Sequence, residues 1–210
     1  MNAADKNINK FLTLFQAFES GLNGETGQPY HEWRRTAIDR LQQLTFPRRK
    51  DEEWKYTSVT RIVSPAYSVP PRVVPTDSQL ERTTIQDLDA HRIVFVNGQL
   101  HEAHSDIEDL PNGIQMLPMA EAFAEGAFRS LIEDLLIDST ENGEDPFITL
   151  NTAFSKDSFF FHVDKNTVLN KPIHLVYLNT HEADPFFVNP QKLFYLEDGA
   201  DATFIESFQA

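Results

Sequence analysis

Cysteine is absent from the 210 residues of this chain. Disulfide scaffolds, thiolate metal sites and cysteine nucleophiles are therefore excluded within it. No stretch of the sequence approaches the ~20 consecutive apolar residues that a membrane-spanning helix needs, and the N-terminus lacks the basic region and long apolar run of a secretory signal. We therefore expect a cytoplasmic protein that has no membrane partner.

Basic residues are few, since 18 lysines and arginines stand against 32 aspartates and glutamates, and the formal net charge is −14. Such a charge repels phosphate backbones and anionic lipid surfaces on average, so we expect no nucleic-acid partner. Arg48, Arg49 and Lys50 form a tight basic cluster, which a solvated loop explains. Phenylalanine is abundant instead, and its 17 copies supply large rings for a core.

The N-terminal part of the chain carries mainly helical patterns. Apolar residues at helical spacing predict a first helix over 5–20, with Asp5 as its cap, and a second helix over 31–44. Four prolines within 63–77 exclude regular helix there and make a regular strand unfavourable. We interpret that stretch as an extended arm.

Strand and helix signals then alternate. The run IVFV followed by Asn97–Gly98 predicts a β-hairpin, and IQMLPM predicts another strand. A helix is predicted over 119–137, a solvated loop over 138–146 and a short helix in PFITLNTAF. We expect a mainly helical N-terminal domain over 1–135, which includes the arm and the hairpin. The expected buried face of the helix over 119–137 consists of Phe123, Ala127, Leu131, Ile132 and Leu135.

Beyond Ser155 the sequence changes to short segments rich in Phe, Val, Ile and Tyr that recur every ~10 to 15 residues, which is typical of all-β structure. The segments are SFFFHVD, PIHLVYL, FFVN, KLFYLE and ADATFIESF. The last segment still has a strand pattern where the sequence stops, and a natural sheet seldom ends on an unprotected edge. We therefore expect either that the sequence is part of a longer protein or that a partner supplies the next strand.

Histidines are the remaining soft metal-ligand candidates. His101 and His104 in HEAH are three residues apart, but they lack the HExxH order of a zinc protease, and two surface histidines explain them better than a metal site does. His162 and Asp164 are two residues apart on a predicted strand, so their side chains project to one face. A sheet with one packed face and one partly wet face explains that pattern.

The His162–Asp164 pair is also the first part of an iron-binding facial triad, which needs one more histidine. His174 and His181 are available for that role. An iron-dependent oxygenase is therefore an alternative function, and a carbohydrate-binding β module is another. GxSxG, P-loop and GxGxxG motifs are absent, and the carboxylate pairs Glu52–Glu53 and Glu133–Asp134 have the context of solvated faces. We expect no enzyme activity, no catalytic residue and no metal ligand in this chain.

Four motifs, in order, resemble the SufB/SufD family of iron–sulfur cluster assembly proteins, and the SufD branch most. The first is Pro47 followed by Glu-Trp-Lys-Tyr-Thr over 53–57. The others are IVFVNGQL, LNTAFSKDSFFFHVDKNTVLNKPIHLVYL and LFYLEDGADATFIESF. The resemblance covers most of 46–210. It implies an α+β protein, in which an N-terminal helical domain precedes a right-handed parallel β-helix whose first coils occupy 146–210.

The resemblance also implies a function. A SufD-like protein is a scaffold subunit of a SufBCD-type iron–sulfur cluster assembly complex, with a SufB-like subunit and a SufC-like ATPase as partners. In the family the ATPase contact and the residues of cluster chemistry lie in later regions. We therefore expect no cofactor in this chain, a truncated β-helix, and self-association through the exposed end of that β-helix.

Trp54 and Tyr56 stand in a run over 46–62 that is otherwise highly charged. On an extended segment, residues two apart point the same way. One interpretation is that both rings are buried and fasten the helical domain to the next layer. The other is that they form a recognition patch for a partner, where aromatic residues are favoured.

Overall fold

The amphipathic pattern at the N-terminus produces helix α1, Ala3–Ser20, in the computed structural model, which describes residues 3–22, 24–140, 144–180 and 184–210. The prediction of this helix is confirmed. Because α1 begins at Ala3, Asp5 lies inside the helix and the prediction that it caps the start is wrong. Helix α2 follows as Pro29–Leu41, with Pro29 in its first turn, where a missing N–H costs nothing.

Two short helices flank the proline-rich segment. Helix α3 is Thr60–Val63 and helix α4 is Asp77–Glu81. Between them, 64–76 contains no helix, and Ser68 forms a single parallel bridge with Phe186. Helix α4 begins with a capping box, in which the Thr76 side chain accepts a hydrogen bond from the Gln79 backbone and the Gln79 side chain accepts one from the Thr76 backbone.

The helix predicted over 119–137 is two helices, α5 (Met119–Ala124) and α6 (Gly126–Thr140). A break shifts the helical phase of the residues that follow it, and this corrects part of the predicted buried face. Ala127 and Leu135 are exposed, whereas Leu136 is buried. Part of the predicted loop, 141–143, lies outside the described residues. Helix α7, Pro146–Ala153, is confirmed and is capped by the Asp145 carboxylate, which accepts hydrogen bonds from two backbone N–H groups.

One compact unit is built from Met1–Val69, Phe123–Ser155 and Asp184–Asn189, and its core is rich in phenylalanine. The Phe154 ring lies 5.7 Å from the Phe15 ring and 5.3 Å from the Phe18 ring, measured between centroids. Full burial of each such side chain contributes about 2–3 kcal/mol. The strand predicted in FFVN does not form, because Phe187 packs into this core while Phe186 makes only the single bridge.

A buried arginine forms several polar contacts within the same unit. Arg34, on α2, is 3% exposed. Its Nε donates to the Ser155 carbonyl at 2.9 Å, and its guanidinium pairs with the Glu25 carboxylate at 3.1 Å. The guanidinium also lies over the Tyr30 ring, and burial raises the pKa of Tyr30. Arg34 therefore joins α2 to the C-terminal end of the α7 segment by charge-assisted hydrogen bonds.

The second compact unit, Pro70–Ala122, Lys156–Ala183 and Pro190–Ala210, contains two sheets. In the first sheet the strand order is β2-β1-β5-β7, with β1, β5 and β7 mutually parallel and β2 antiparallel to β1. In the second sheet the order is β3-β4-β6, with β3 antiparallel to β4 and β6 parallel to it. The strands are β1 His91–Val96, β2 Gln99–Leu100, β3 Ile114–Pro118, β4 Phe159–Val163, β5 Ile173–Leu178, β6 Lys192–Leu196 and β7 Phe204–Gln209.

The predicted hairpin joins β1 to β2. Asn97 and Gly98 both have positive φ, 50° and 79°, as a two-residue type I′ turn requires. The Asn97 side chain is also fixed from outside the hairpin, because its amide donates to the Pro71 carbonyl and its carbonyl accepts from the Thr180 backbone. The hairpin is therefore anchored both to the proline-rich segment and to the residues after β5.

From β4 onward, successive strands along the chain alternate between the two sheets. β4 and β6 belong to one sheet, and β5 and β7 belong to the other. The two sheets contribute to a common apolar core, in which Phe161 and Val163 of one join Leu175 of the other. All five residues of β4 are buried, so the prediction of one packed and one partly wet face is wrong for this strand. Both of its faces are covered, as in strands of parallel sheets generally.

Side chains stack in rows across the parallel strands. Phe95, Tyr177 and Phe208 occupy matching positions on β1, β5 and β7. Their rings stack nearly parallel, at centroid distances of 5.4 Å and 4.6 Å. Phe161 and Phe194 form a similar pair on β4 and β6, at 5.1 Å. The pairing register thus places like side chains above one another.

The fold is a mixed α+β structure, as predicted, and the described strands form no closed barrel. The division of the chain into domains over 1–135 and 146–210 stays a prediction.

Replacement of Arg34 by Ala is expected to lower the free energy of unfolding by about 2–4 kcal/mol, because it leaves buried acceptors without their charged donor. Chemical denaturation followed by circular dichroism measures this. Arg35→Ala is the matched control, since Arg35 is 59% exposed and its pair with Glu19 is on the surface. It should cost less than about 1 kcal/mol. Equal losses in the two variants would contradict the role given to Arg34.

Candidate functional site

Trp54 and Tyr56 have different environments. Glu52–Trp54 forms a 3-10 turn, so the segment is not extended there. On a 3-10 turn, residues two apart are rotated by roughly 240° about the helix axis, so their side chains point in different directions. The Trp54 ring packs on Phe147 at 5.6 Å and borders the phenylalanine core, whereas Tyr56 is 92% exposed. The expectation that both rings are buried is therefore wrong for Tyr56, and a role of either residue in partner binding stays a prediction.

His101 and His104 come together at a short 3-10 turn, Glu102–His104, after the hairpin. Their Nδ1 atoms are 3.0 Å apart. One ring donates and the other accepts, so this contact explains the pair without an ion. Among the described residues, no cluster of three or more metal-ligating side chains includes either histidine.

His162 and Asp164 do meet, together with a third residue that the sequence analysis did not select. His162 Nε2 lies 2.9 Å from Glu197 Oε1, and His162 Nδ1 lies 3.4 Å from Asp164 Oδ1. Donor atoms of the three side chains all lie within 4.8 Å of one another. His162 is 5% exposed, while the side chains of Asp164 and Glu197 are 52% and 37% exposed. We call these three residues the His162 cluster.

The backbone fixes the His162 cluster from both sides. The Asp164 N–H donates to the Gly113 carbonyl at 2.8 Å, and the Glu197 N–H donates to the Val163 carbonyl at 3.0 Å. Glu197 Oε2 accepts from the Lys165 N–H at 3.1 Å, which leaves Oε1 directed at His162. The His162 ring stacks on the Tyr195 ring, its neighbour across the β4–β6 pairing.

His174, one of the two histidines available for a facial triad, is not in this cluster. His174 lies on β5, in the other sheet, and its Nε2 contacts Ser207 Oγ at 2.8 Å. Burial lowers the pKa of His174. His181 lies outside the described residues. Among the described residues, the His162 cluster therefore contains one histidine and two carboxylates, whereas the oxygenase alternative needs two histidines and one carboxylate.

Glu197 was missed because it is 33 residues from Asp164 in the sequence. The signal that identifies it is the register of β4 and β6, in which Val163 pairs with Leu196. Asp164 and Glu197 are then the equivalent residues that follow two paired strands. Alignment of FFFHVD with LFYLE as paired strands places an acidic residue at both positions.

A second polar group, which the sequence analysis also missed, lies between the sheets. Lys192, at the start of β6, directs its ammonium group over the Phe95 ring at 4.1 Å and near the Phe159 and Tyr177 rings. Its Nζ donates to the Asp157 carbonyl at 3.2 Å. The Tyr177 hydroxyl in turn donates to Glu206 Oε1 at 2.7 Å.

Burial dominates the titration of both groups. Burial lowers the pKa of Lys192 to about 7, against the opposing effect of the carboxylates of Asp157 and Glu206. Burial also raises the pKa of Tyr177, and the neighbouring Glu206 carboxylate adds to that effect. Lys192 is therefore partly neutral near pH 7, and the aromatic rings around it offset part of the cost of its charged form.

Stability should rise with pH because of Lys192. In the unfolded chain a lysine keeps its proton up to about pH 10.4, whereas the folded protein releases it near pH 7. The unfolded state binds more protons between these values, so raising the pH favours folding. We expect a gain of about 2–3 kcal/mol from pH 7 to about pH 9.5, below the range in which unfolded tyrosines ionise.

Urea unfolding at several pH values tests this expectation. Lys192→Met should abolish most of the rise. Lys171→Met is the control, because Lys171 is half-exposed and pairs with Asp89 on the surface, and its loss should leave the slope intact. If Lys192→Met kept the slope of the original protein, the assignment to Lys192 would be wrong.

None of the described helices is both long enough and apolar enough to cross a membrane.

Comparisons with known proteins agree with the resemblance. The family model described as "SufBD protein N-terminal region" matches residues 5–175. An iron–sulfur cluster assembly SufBD family protein of Synechocystis sp. is 30% identical over 177 residues, which are 84% of this chain and 38% of that protein. The chain thus spans well under half the length of this relative. It belongs to the SufB/SufD family and corresponds to the N-terminal region of that family.

Proposed function

We propose that this chain is the N-terminal portion of a SufD-like scaffold subunit in an iron–sulfur cluster assembly complex of the SufBCD type. It acts in the cytoplasm by assembling with partner proteins and performs no catalysis of its own. Family membership supports the assembly role, and the name of the Synechocystis relative states the same role for that protein. Neither comparison favours the iron-dependent oxygenase.

The strand pairing carries the scaffold proposal. Phe159 of β4 aligns with Lys192 of β6, and Ile173 of β5 aligns with Phe204 of β7, so equivalent residues are 33 and 31 apart. A further parallel bridge joins Val168 to Asp201, again 33 apart. We infer that β4–β5 and β6–β7 are the first two coils of a parallel β-helix. A stack of coils is a rigid, extended frame, in which each coil contacts only its neighbours.

The last strand of this stack presents an open edge. Among the described strands, β7 pairs with β5 alone. Its Phe208 is exposed, as are Tyr195 and Leu196 on β6. Unpaired backbone groups on such an edge accept another strand. We propose self-association through this edge when no further coil covers it.

The proposed partners are a SufB-like subunit and a SufC-like ATPase, with the ATPase contact outside 1–210. Tyr56 supports a partner contact within this chain, because a tyrosine 92% exposed contributes little to its own fold. Exposed aromatic residues are frequent anchors at protein interfaces. Trp54 next to it has a packing role and supports the position of Tyr56.

Co-expression of the full-length protein that contains this chain with the SufB-like and SufC-like proteins of the same cell tests the function. We expect one stoichiometric complex in size-exclusion chromatography with light scattering. We also expect iron–sulfur enzymes in the cell to lose activity when the gene is deleted, and to regain it on complementation. A protein that remains alone, in cells whose iron–sulfur enzymes are unaffected by the deletion, would overturn the proposal.

Single substitutions separate packing from recognition. Trp54→Ala should lower the free energy of unfolding by about 2–3 kcal/mol, because it removes the ring that packs on Phe147. Tyr56→Ala should leave the melting temperature unchanged and weaken binding to the SufB-like subunit at least about tenfold. Differential scanning calorimetry measures the change in stability, and isothermal titration calorimetry measures the change in affinity for the SufB-like subunit. Val74→Ala, another highly exposed apolar position, should change neither quantity. Unchanged affinity in Tyr56→Ala would remove Tyr56 from the interface.

A further inference from the structure

We propose that the His162 cluster is a binding site for a divalent first-row transition-metal ion of the Zn²⁺ type. The site links the end of β4, through His162 and Asp164, to the end of β6, through Glu197. The inference stands independently of the assembly function, because it rests on three side chains and their surroundings. It also differs from the expectation that this chain contains no metal ligand.

The donor separations fit an ion. Zinc binds imidazole nitrogen and carboxylate oxygen at about 2.0–2.2 Å in a tetrahedral arrangement, so two neighbouring ligands lie about 3.4 Å apart. His162 Nε2 and Glu197 Oε1 are 2.9 Å apart, so these two donors separate slightly to admit the ion. The third donor comes from Asp164, and the donor atoms of the three side chains all lie within 4.8 Å of one another. Asp164 Oδ1 contacts His162 Nδ1, so binding of the ion at Nε2 requires the half-exposed Asp164 side chain to rotate towards that nitrogen.

The chemistry of the donor set selects the class of ion. Mg²⁺ and Ca²⁺ take oxygen ligands almost alone, whereas a buried imidazole together with carboxylates suits Zn²⁺, Mn²⁺ and Fe²⁺. Three protein donors leave one or more positions for water. The charge agrees, because among the described residues no lysine or arginine lies within 4 Å of the Asp164 or Glu197 carboxylate. A divalent cation balances these two charges.

Neighbouring backbone groups and aromatic rings orient the donor side chains of the His162 cluster. Glu197 is fixed through its backbone and through the oxygen that accepts from Lys165. The imidazole lies nearly parallel to the rings of Phe160 and Tyr195, at centroid distances of 6.3 Å and 5.8 Å. Such outer contacts orient metal ligands and reduce the cost of ordering them. The ion enters from the carboxylate side, where Asp164 is exposed.

Equilibrium dialysis of the purified, EDTA-treated protein against Zn²⁺, with metal analysis by mass spectrometry, tests the site. We expect one Zn²⁺ per chain and a melting temperature higher by at least about 4 °C when Zn²⁺ is a hundredfold above its Kd. Co²⁺ should give a visible d–d spectrum that shows nitrogen and oxygen ligation. H162Q should abolish stoichiometric binding, and E197Q and D164N should each weaken it at least about tenfold.

D198N is the matched control, because Asp198 follows Glu197, is fully exposed and carries the same charge. It should bind Zn²⁺ like the original protein. A double variant, H101N with H104N, removes the other histidine pair and should also bind normally. Circular dichroism of every variant without metal establishes that it is folded. The proposal is overturned if no Zn²⁺ binds, if binding survives H162Q in a folded protein, or if it depends on His101 and His104.

Discussion

In-register parallel pairing of β4 with β6 and of β5 with β7 is the constraint on which the second compact unit depends. It places β6 on β4 and β7 on β5, and in doing so it stacks Phe194 on Phe161 and Phe208 on Tyr177. The same pairing positions both polar groups of the unit. Glu197 reaches His162 because Leu196 is paired with Val163, and Lys192 lies near Phe159 because these two residues are partners. The strand register therefore determines the aromatic stacking, the His162 cluster and the position of Lys192.

Local signals in the sequence predicted local structure well. Helix α1 follows from the spacing of its phenylalanines, and the β1–β2 hairpin follows from Asn97–Gly98, because both depend on residues close together in the chain. Predictions failed where packing decides between alternatives. Phe187 is drawn into the phenylalanine core instead of a strand, and the break before Gly126 turns Leu135 outward. The first outcome depends on partners that are distant in sequence and the second on a break in the helix, and periodicity identifies neither.

The candidate site shows the same limit. His162 and Asp164 could be paired from the sequence, because residues two apart on a strand share a face. Glu197 could not, since its place depends on a register across 33 residues, and neither could Lys192, whose aromatic neighbours come from both sheets. For Trp54 and Tyr56, the sequence predicted two aromatic side chains with a common role. A single 3-10 turn separates them into one packing residue and one exposed residue.

The His162 cluster and Lys192 differ in their access to solvent. This difference makes the first a binding site and the second a structural feature. The Lys192 ammonium group lies against aromatic rings, and burial lowers its pKa, so its charge changes with pH and affects stability. The His162 cluster has a buried ring and two carboxylates open to water, so an ion can reach it. A register shift of one residue would turn every strand side chain to the opposite face. Such a shift would separate Glu197 from His162 and bring Lys192 out of the core. An ion held across the ends of β4 and β6 would therefore favour the register that also keeps the sheets packed.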